Sequence, residues 1–144
     1  MTVKVGIDKI GFYTPNLYLD MVDLAHARGA DPAKYQVGIG QSKQAVIPPT
    51  QDVVTMAANA AAQILTPTIK TQIAMVLFGT ESGIDNSKAT AVYLAHLLEL
   101  SPQTRAVELK QACYGATAGL QLAADYVRVH PQAKVLVIGA DIAR

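Results

Sequence analysis

The segment QACYGATAGL, residues 111–120, carries the chain's single cysteine, Cys113, among Ala112, Gly115, Ala116, Ala118 and Gly119. It follows the short β-type run RAVEL and opens a helical pattern, so the thiol stands at a strand-to-helix junction. In α/β sheets chemistry gathers at the carboxyl ends of strands. A thiol at a helix N-terminus faces the positive end of the helix dipole, which favours the thiolate. The N–H groups of the same turn can hold an oxyanion on an acyl group. A lone cysteine also reads as a small buried hydrophobe, and composition leaves both readings open.

Glu81, in GTESGIDNSK, occupies an equivalent place after the apolar run IAMVLFG. Partial burial there would make its carboxylate a proton carrier near neutral pH. Its alternative is a solvated loop acid or a partner for Lys88. The two residues gain meaning together if parallel neighbouring strands deliver them to one rim. A thiol nucleophile beside a carboxylate suits acyl transfer coupled to proton abstraction next to a carbonyl. His26 and His96 fall inside helical patterns and His130 ends one before Pro131, so all three read as structural. GIGQSK, residues 38–43, lacks the third glycine of a dinucleotide loop and the spacing of a phosphate loop, and reads as a turn. No Cys/His cluster has metal-ligand spacing, so no metal site is expected.

These residues need a scaffold, and its elements are legible. VKVGIDKIGFYTP reads as a strand or a bent pair of strands. LDMVDLAHARG has Met21, Leu24 and Ala25 at helical spacing, with Asp20 as cap and Gly29 as end. DPAKYQVGIGQSKQAVIPP is loop-like with short extended pieces. TQDVVTMAANAAAQILT is a helix, with Thr50 as its N-cap, Asp52 in the first turn and Pro67 after its end. QIAMVLFGTES and KVLVIGADIA are strands buried on both faces. SKATAVYLAHLLEL is a helix capped near Ser87, and a third helix starts at Cys113. Alternating strands and helices predict an α/β layered domain. The small residues after Cys113 suit a helix sandwiched where backbones approach closely.

The 144 residues suffice for one domain with a real core, and 51% of them are apolar. A net charge of +1 without a lysine or arginine run argues against a nucleic-acid or anionic-membrane surface. One cysteine cannot form an internal disulfide, so a reducing, cytoplasmic setting is expected. No apolar run reaches membrane-span length, and MTVKVGIDKIGFYTP has no signal-peptide core. The chain stops at Arg144 directly after an apolar strand, which predicts one part of a longer protein.

Taken together, GTESGIDNSK, QACYGATAGL, VLVIGADIAR, DPAKYQVGIGQ and QDVVTMAANAA resemble the 3-hydroxy-3-methylglutaryl-CoA synthase family in its bacterial form. The resemblance runs along essentially the whole chain and covers the amino-terminal part of the family's length. It implies a thiolase-like fold of two related halves stacked in five layers. Residues 1–144 would supply most of the first half and would be incomplete alone. It implies Cys113 as the acyl-carrying nucleophile, Glu81 as general acid/base, and Asp31 and Pro32 as contacts to CoA. It implies acetyl-CoA and acetoacetyl-CoA as substrates, no further cofactor, a place in mevalonate and isoprenoid synthesis, and a homodimer. The family's downstream histidine has no match here, so the isolated chain is expected to be inactive without the carboxy-terminal half. An initiating ketoacyl-carrier-protein synthase, a β-branching synthase acting on carrier proteins, and a non-catalytic remnant or assembly subunit are the competing readings. Ketoacyl synthases do not need the TES glutamate.

Overall fold

The computed structural model describes residues 4–142. The chain divides into two units, Thr14–Gln51 and the remainder. In the larger unit the most apolar run forms the central strand. We number the elements in chain order through both units, and this strand is β3 (Ile73–Gly79). It lies between β4 (Arg105–Leu109) and β5 (Lys134–Gly139), parallel to both. All three carboxyl ends therefore share one rim, with Gly79 opposite both Leu109 and Gly139.

Helices cover both faces, which is why β3 reads as unbroken hydrophobicity. On one face Val76, Phe78, Leu136 and Ile138 join Val53, Val54, Ala57 and Leu94 in a single core. Those partners come from α3 (Val53–Ala62) and α5 (Thr90–Leu97). Phe78, Leu94, Val53 and Val76 are fully buried. Side chains of this kind each contribute about 1.5–3 kcal/mol on burial. On the other face lies α6 (Gly115–Val129), whose buried residues Gly115, Gly119 and Ala123 recur every fourth position. That stripe lets its backbone settle close to the sheet. The described residues supply one side of the sandwiched helix expected from sequence. The described residues place one sheet against α6, and Leu120 and Leu122 on the rest of its surface are about half exposed (46% and 49%).

Some local expectations are corrected. The N-cap of α3 is Asp52, not Thr50: Asp52 Oδ1 accepts from Thr55 N (2.8 Å) and Thr55 Oγ1 accepts from Asp52 N (2.8 Å). This reciprocal box satisfies two N-terminal donors at once. Asp52→Ala should lower stability by about 1 kcal/mol in denaturant titration, and Thr50→Ala should leave it unchanged. Pro67 follows the end of α3, as expected, and begins the short α4 (Pro67–Lys70). The N-cap of α5 is Ala89, close to Ser87 as expected, but it makes no side-chain cap. Residues 4–13 form no strand, contrary to the β-rich reading; their hydrophobes find no ladder, and Ile7, Ile10 and Phe12 are exposed. The segment is tied instead by Gln63, which exchanges two hydrogen bonds with the Phe12 backbone, and by a Lys134–Asp8 ion pair. Val3, which opened the strand reading, and the chain end at Arg144 lie outside the described residues.

The smaller unit pairs β1 (Leu17–Asp20) with β2 (Lys43–Val46), antiparallel. Between them run α1 (Met21–Ala27) and α2 (Ala33–Gln36). Asp20 caps α1 through Val22 N (2.8 Å), as its position predicts. Lys43 Nζ sits 4.1 Å from the centroid of the Tyr18 ring, a cation–π contact across the pair. Of the turn expected at residues 38–43, a turn is present over residues 37–39, Gly40 follows at φ +75°, and Lys43 already opens β2.

Candidate active site

Cys113 and Glu81 leave the sheet at adjacent strand ends. Gly79 pairs with Leu109, Thr80 N donates to Leu109 O (3.3 Å), Glu81 follows two residues past β3, and Cys113 four past β4. The parallel order of β3 and β4 thus brings the two candidates to one rim. Both are exposed, and neither the thiol nor the carboxylate is hydrogen-bonded among the described residues. The described residues do not supply the partial burial expected for Glu81: its side chain is exposed, although Thr80 before it is buried. Lys88 is not its partner: the ammonium lies over the Tyr93 ring, 4.1 Å from the centroid.

The helix expected to start at Cys113 starts at Gly115, with Tyr114 as N-cap. Cys113 sits in the turn before it. Tyr114 N donates to Gln111 O (3.0 Å) and Gly115 N to Ala112 O (3.1 Å), while Ala112 takes a left-handed φ of 44°. That conformation costs an alanine about 1–2 kcal/mol. It turns the chain sharply enough to hold the thiol at the tip between strand and helix.

The start of α6 is pressed onto the rim. A Cβ at Gly79 would overlap the backbone of Gly115 and Ala116, and a Cβ at Gly115 would lie 2.9 Å from Leu109 O. The glycines around Cys113 therefore serve a backbone-to-backbone approach that fixes where α6 begins. Gly79→Ala should destabilise the fold by about 1–3 kcal/mol or more in denaturant unfolding, because rigid backbone cannot yield.

Sequence reasoning missed the residue that holds the Glu81 loop. Asp141, two residues past β5, accepts through Oδ1 from Glu81 N (2.6 Å), Ser82 N (3.1 Å), Thr80 Oγ1 (3.0 Å) and Ser82 Oγ (3.2 Å). Ser82 Oγ in turn accepts from Ile142 N (3.0 Å). One carboxylate gathering several donors makes a charge-assisted clamp across the rim. Further along the loop, Asp85 accepts from Ser87 N (2.7 Å), Lys88 N (3.0 Å) and Tyr93 Oη (2.9 Å). The Lys88 N–H first, then the Ser87 N–H and the Tyr93 hydroxyl, hold the Asp85 carboxyl below its ordinary value. Asp85 raises the Tyr93 phenol in return.

Asp31 and Pro32 belong to the smaller unit. Asp31 is exposed and accepts from Ala33 N through Oδ1 (2.9 Å), and Pro32 precedes α2 as its N-cap. His26 and His96 lie inside α1 and α5, as sequence put them, each in the last turn, and His130 ends α6 as its C-cap, stacked on Tyr126 with centroids 4.2 Å apart. Among the described residues no helix is long and apolar enough to cross a membrane.

All 144 residues match the family model described as hydroxymethylglutaryl-coenzyme A synthase N terminal. The chain is 57% identical over 142 residues to the hydroxymethylglutaryl-CoA synthase of Enterococcus faecalis, covering 99% of this chain and 37% of that protein. It is 37% identical over 147 residues to the polyketide biosynthesis 3-hydroxy-3-methylglutaryl-ACP synthase PksG of Bacillus subtilis, covering 99% and 35%. A crystal structure of an HMG-CoA synthase complexed with CoA superposes with a TM-score of 0.92 at 49% identity, over 96% of this chain and 36% of that one. The chain thus spans a little over a third of these proteins' length. The rim that carries Cys113 and Glu81 is built on a thiolase-like α/β fold, and the chain belongs to the amino-terminal hydroxymethylglutaryl-CoA synthase family.

Proposed function

We propose that this chain supplies the nucleophile and the proton-transfer residue of a hydroxymethylglutaryl-CoA synthase, completed by a carboxy-terminal portion. The observation that carries the reading is the convergence of Cys113 and Glu81 at neighbouring strand ends, with both functional groups unengaged. The Cys113 sulfur attacks the acetyl-CoA carbonyl, the carbon–sulfur bond to CoA breaks, and CoA leaves as the thiol. The acetyl group then rests on Cys113 as a thioester, which acidifies its methyl group. Glu81 takes a methyl proton, the resulting carbanion attacks the ketone carbon of acetoacetyl-CoA, and the carbon–oxygen double bond opens to an alkoxide that takes a proton to become the 3-hydroxyl group. Water hydrolyses the Cys113 thioester, releasing 3-hydroxy-3-methylglutaryl-CoA.

Asp31 and Pro32 are assigned to the CoA portion on the family resemblance. The enzyme works without a further cofactor, as a homodimer in the cytoplasm, and feeds mevalonate and isoprenoid synthesis. The half-exposed apolar positions of α6 support a second half stacked over that helix. The test is product formation from acetyl-CoA and acetoacetyl-CoA by this chain joined to a carboxy-terminal portion, beside the chain alone. Product only from the joined form supports the reading, and turnover by the chain alone overturns the need for completion.

The second reading is a β-branching synthase that takes its acyl groups from carrier proteins, as the name of the Bacillus relative indicates for that protein. Identity of 57% to the CoA enzyme against 37% to the carrier enzyme favours CoA. Supplying acetyl on a carrier protein in place of acetyl-CoA separates the two.

A further inference from the structure

We propose that Glu108 is a positioning residue that sets the placement of Glu81, by bracing the Glu81 loop from the neighbouring strand. Glu108 lies in β4 opposite Phe78, and its half-buried side chain reaches α5. Its Oε2 accepts from Thr90 N (2.6 Å), the first residue of α5. Because α5 has no side-chain cap of its own, this carboxylate from eighteen residues away does that work. It also meets the positive end of the helix dipole. Its other oxygen, Oε1, lies 2.8 Å from where a Cβ on Gly83 would stand. One carboxylate therefore abuts the loop two residues beyond Glu81 and fastens the point where that loop enters α5. The fully buried Thr90 Oγ1, which makes no hydrogen bond among the described residues, lies 3.3 Å from the same Cβ position, so Gly83 is enclosed by both.

The chemical consequence follows from where Glu108 sits. Five residues further along, the same strand and its turn present Cys113. A rigid link from β4 to the Glu81 loop holds the proton acceptor at a set place relative to the acetyl-bearing sulfur. Acetylation of Cys113 needs only the thiol, whereas methyl-proton removal needs both groups in register. This inference rests on the role proposed above for Glu81.

The experiment compares Glu108→Ala, Glu108→Gln and Gly83→Ala in the chain joined to a carboxy-terminal portion. Two rates are measured on each: acetyl transfer to Cys113, and exchange of the acetyl methyl protons with deuterated solvent. Hydrogen exchange is followed in peptides covering residues 80–90 and α3. Glu108→Ala should lower the ratio of methyl exchange to acetylation by about 10- to 100-fold, the order expected of a misplaced catalytic group. Protection of residues 80–90 should fall while that of α3 holds. Glu108→Gln keeps an acceptor for Thr90 N and should fall less. Gly83→Ala, with Glu108 intact, should lower the ratio by pushing the carboxylate away. The ratio is taken within folded protein, so partial unfolding does not move it. Equal falls in both rates, or an unchanged ratio, overturn the inference. If the unsubstituted protein fails to acetylate Cys113, the proposed function fails. Protection of residues 80–90 then still decides whether Glu108 braces the loop, and unchanged protection overturns that too.

Discussion

Cys113→Ala, in the chain joined to a carboxy-terminal portion, should take up no acetyl group from acetyl-CoA. Cys113 is the chain's only cysteine, so a mass increase of about one acetyl group on the peptide containing residue 113 assigns the carrier directly. Turnover should fall by on the order of 10⁶-fold, as when a nucleophile is removed from groups that act as a unit. Folding should be untouched. The side chain is exposed and makes no hydrogen bond among the described residues, so the substitution empties no core volume. An acetylated Cys113→Ala protein would place the acyl group elsewhere and end the reading of Cys113 as nucleophile.

Glu81→Gln should separate the two stages of the reaction. The amide has the shape of the carboxylate and cannot accept the methyl proton. Condensation should therefore fall by about 10²- to 10⁴-fold, the usual contribution of a positioned general base. Acetylation of Cys113 should persist, because the attack on acetyl-CoA does not use Glu81. The Asp141 clamp grips the backbone N–H of Glu81 and not its side chain, so the loop keeps its place in the variant. Rapid quenching after mixing with acetyl-CoA should find the acetyl-enzyme accumulated. Equal loss of both stages would show Glu81 acting on the thiol instead.

Features whose cause lies within a few residues were legible in the sequence. β3 and β5 read as buried strands because helices on both faces demand uninterrupted hydrophobicity, and the Cys113–Glu81 pairing followed from two parallel strand ends. The small residues after Cys113, Gly115 and Gly119 among them, announced a close helix–sheet approach. What escaped was joined by the fold alone. Asp141 meets Glu81 from sixty residues away, and Glu108 replaces the missing local cap of α5 from eighteen. A signal for Asp141 was present: it follows Gly139 by two residues, as Glu81 follows Gly79, so parallel register puts both just past the rim. The segment 4–13 misled because β-forming residues predict strand only where a partner edge receives them.

The strand order has a consequence for synthesis. β3 leaves the ribosome first of its sheet, yet both of its neighbours are made later, and the last residue of β5 follows that of β3 by sixty residues. At translation rates of about 5–20 residues per second the most apolar strand waits roughly 3–12 s for its second edge. Through that interval α3 and then α5 cover one face of β3, and β4 and α6 follow before β5 is complete, so the early half-core of α3 and α5 with Val76 and Phe78 is the first shield the nascent strand has against aggregation.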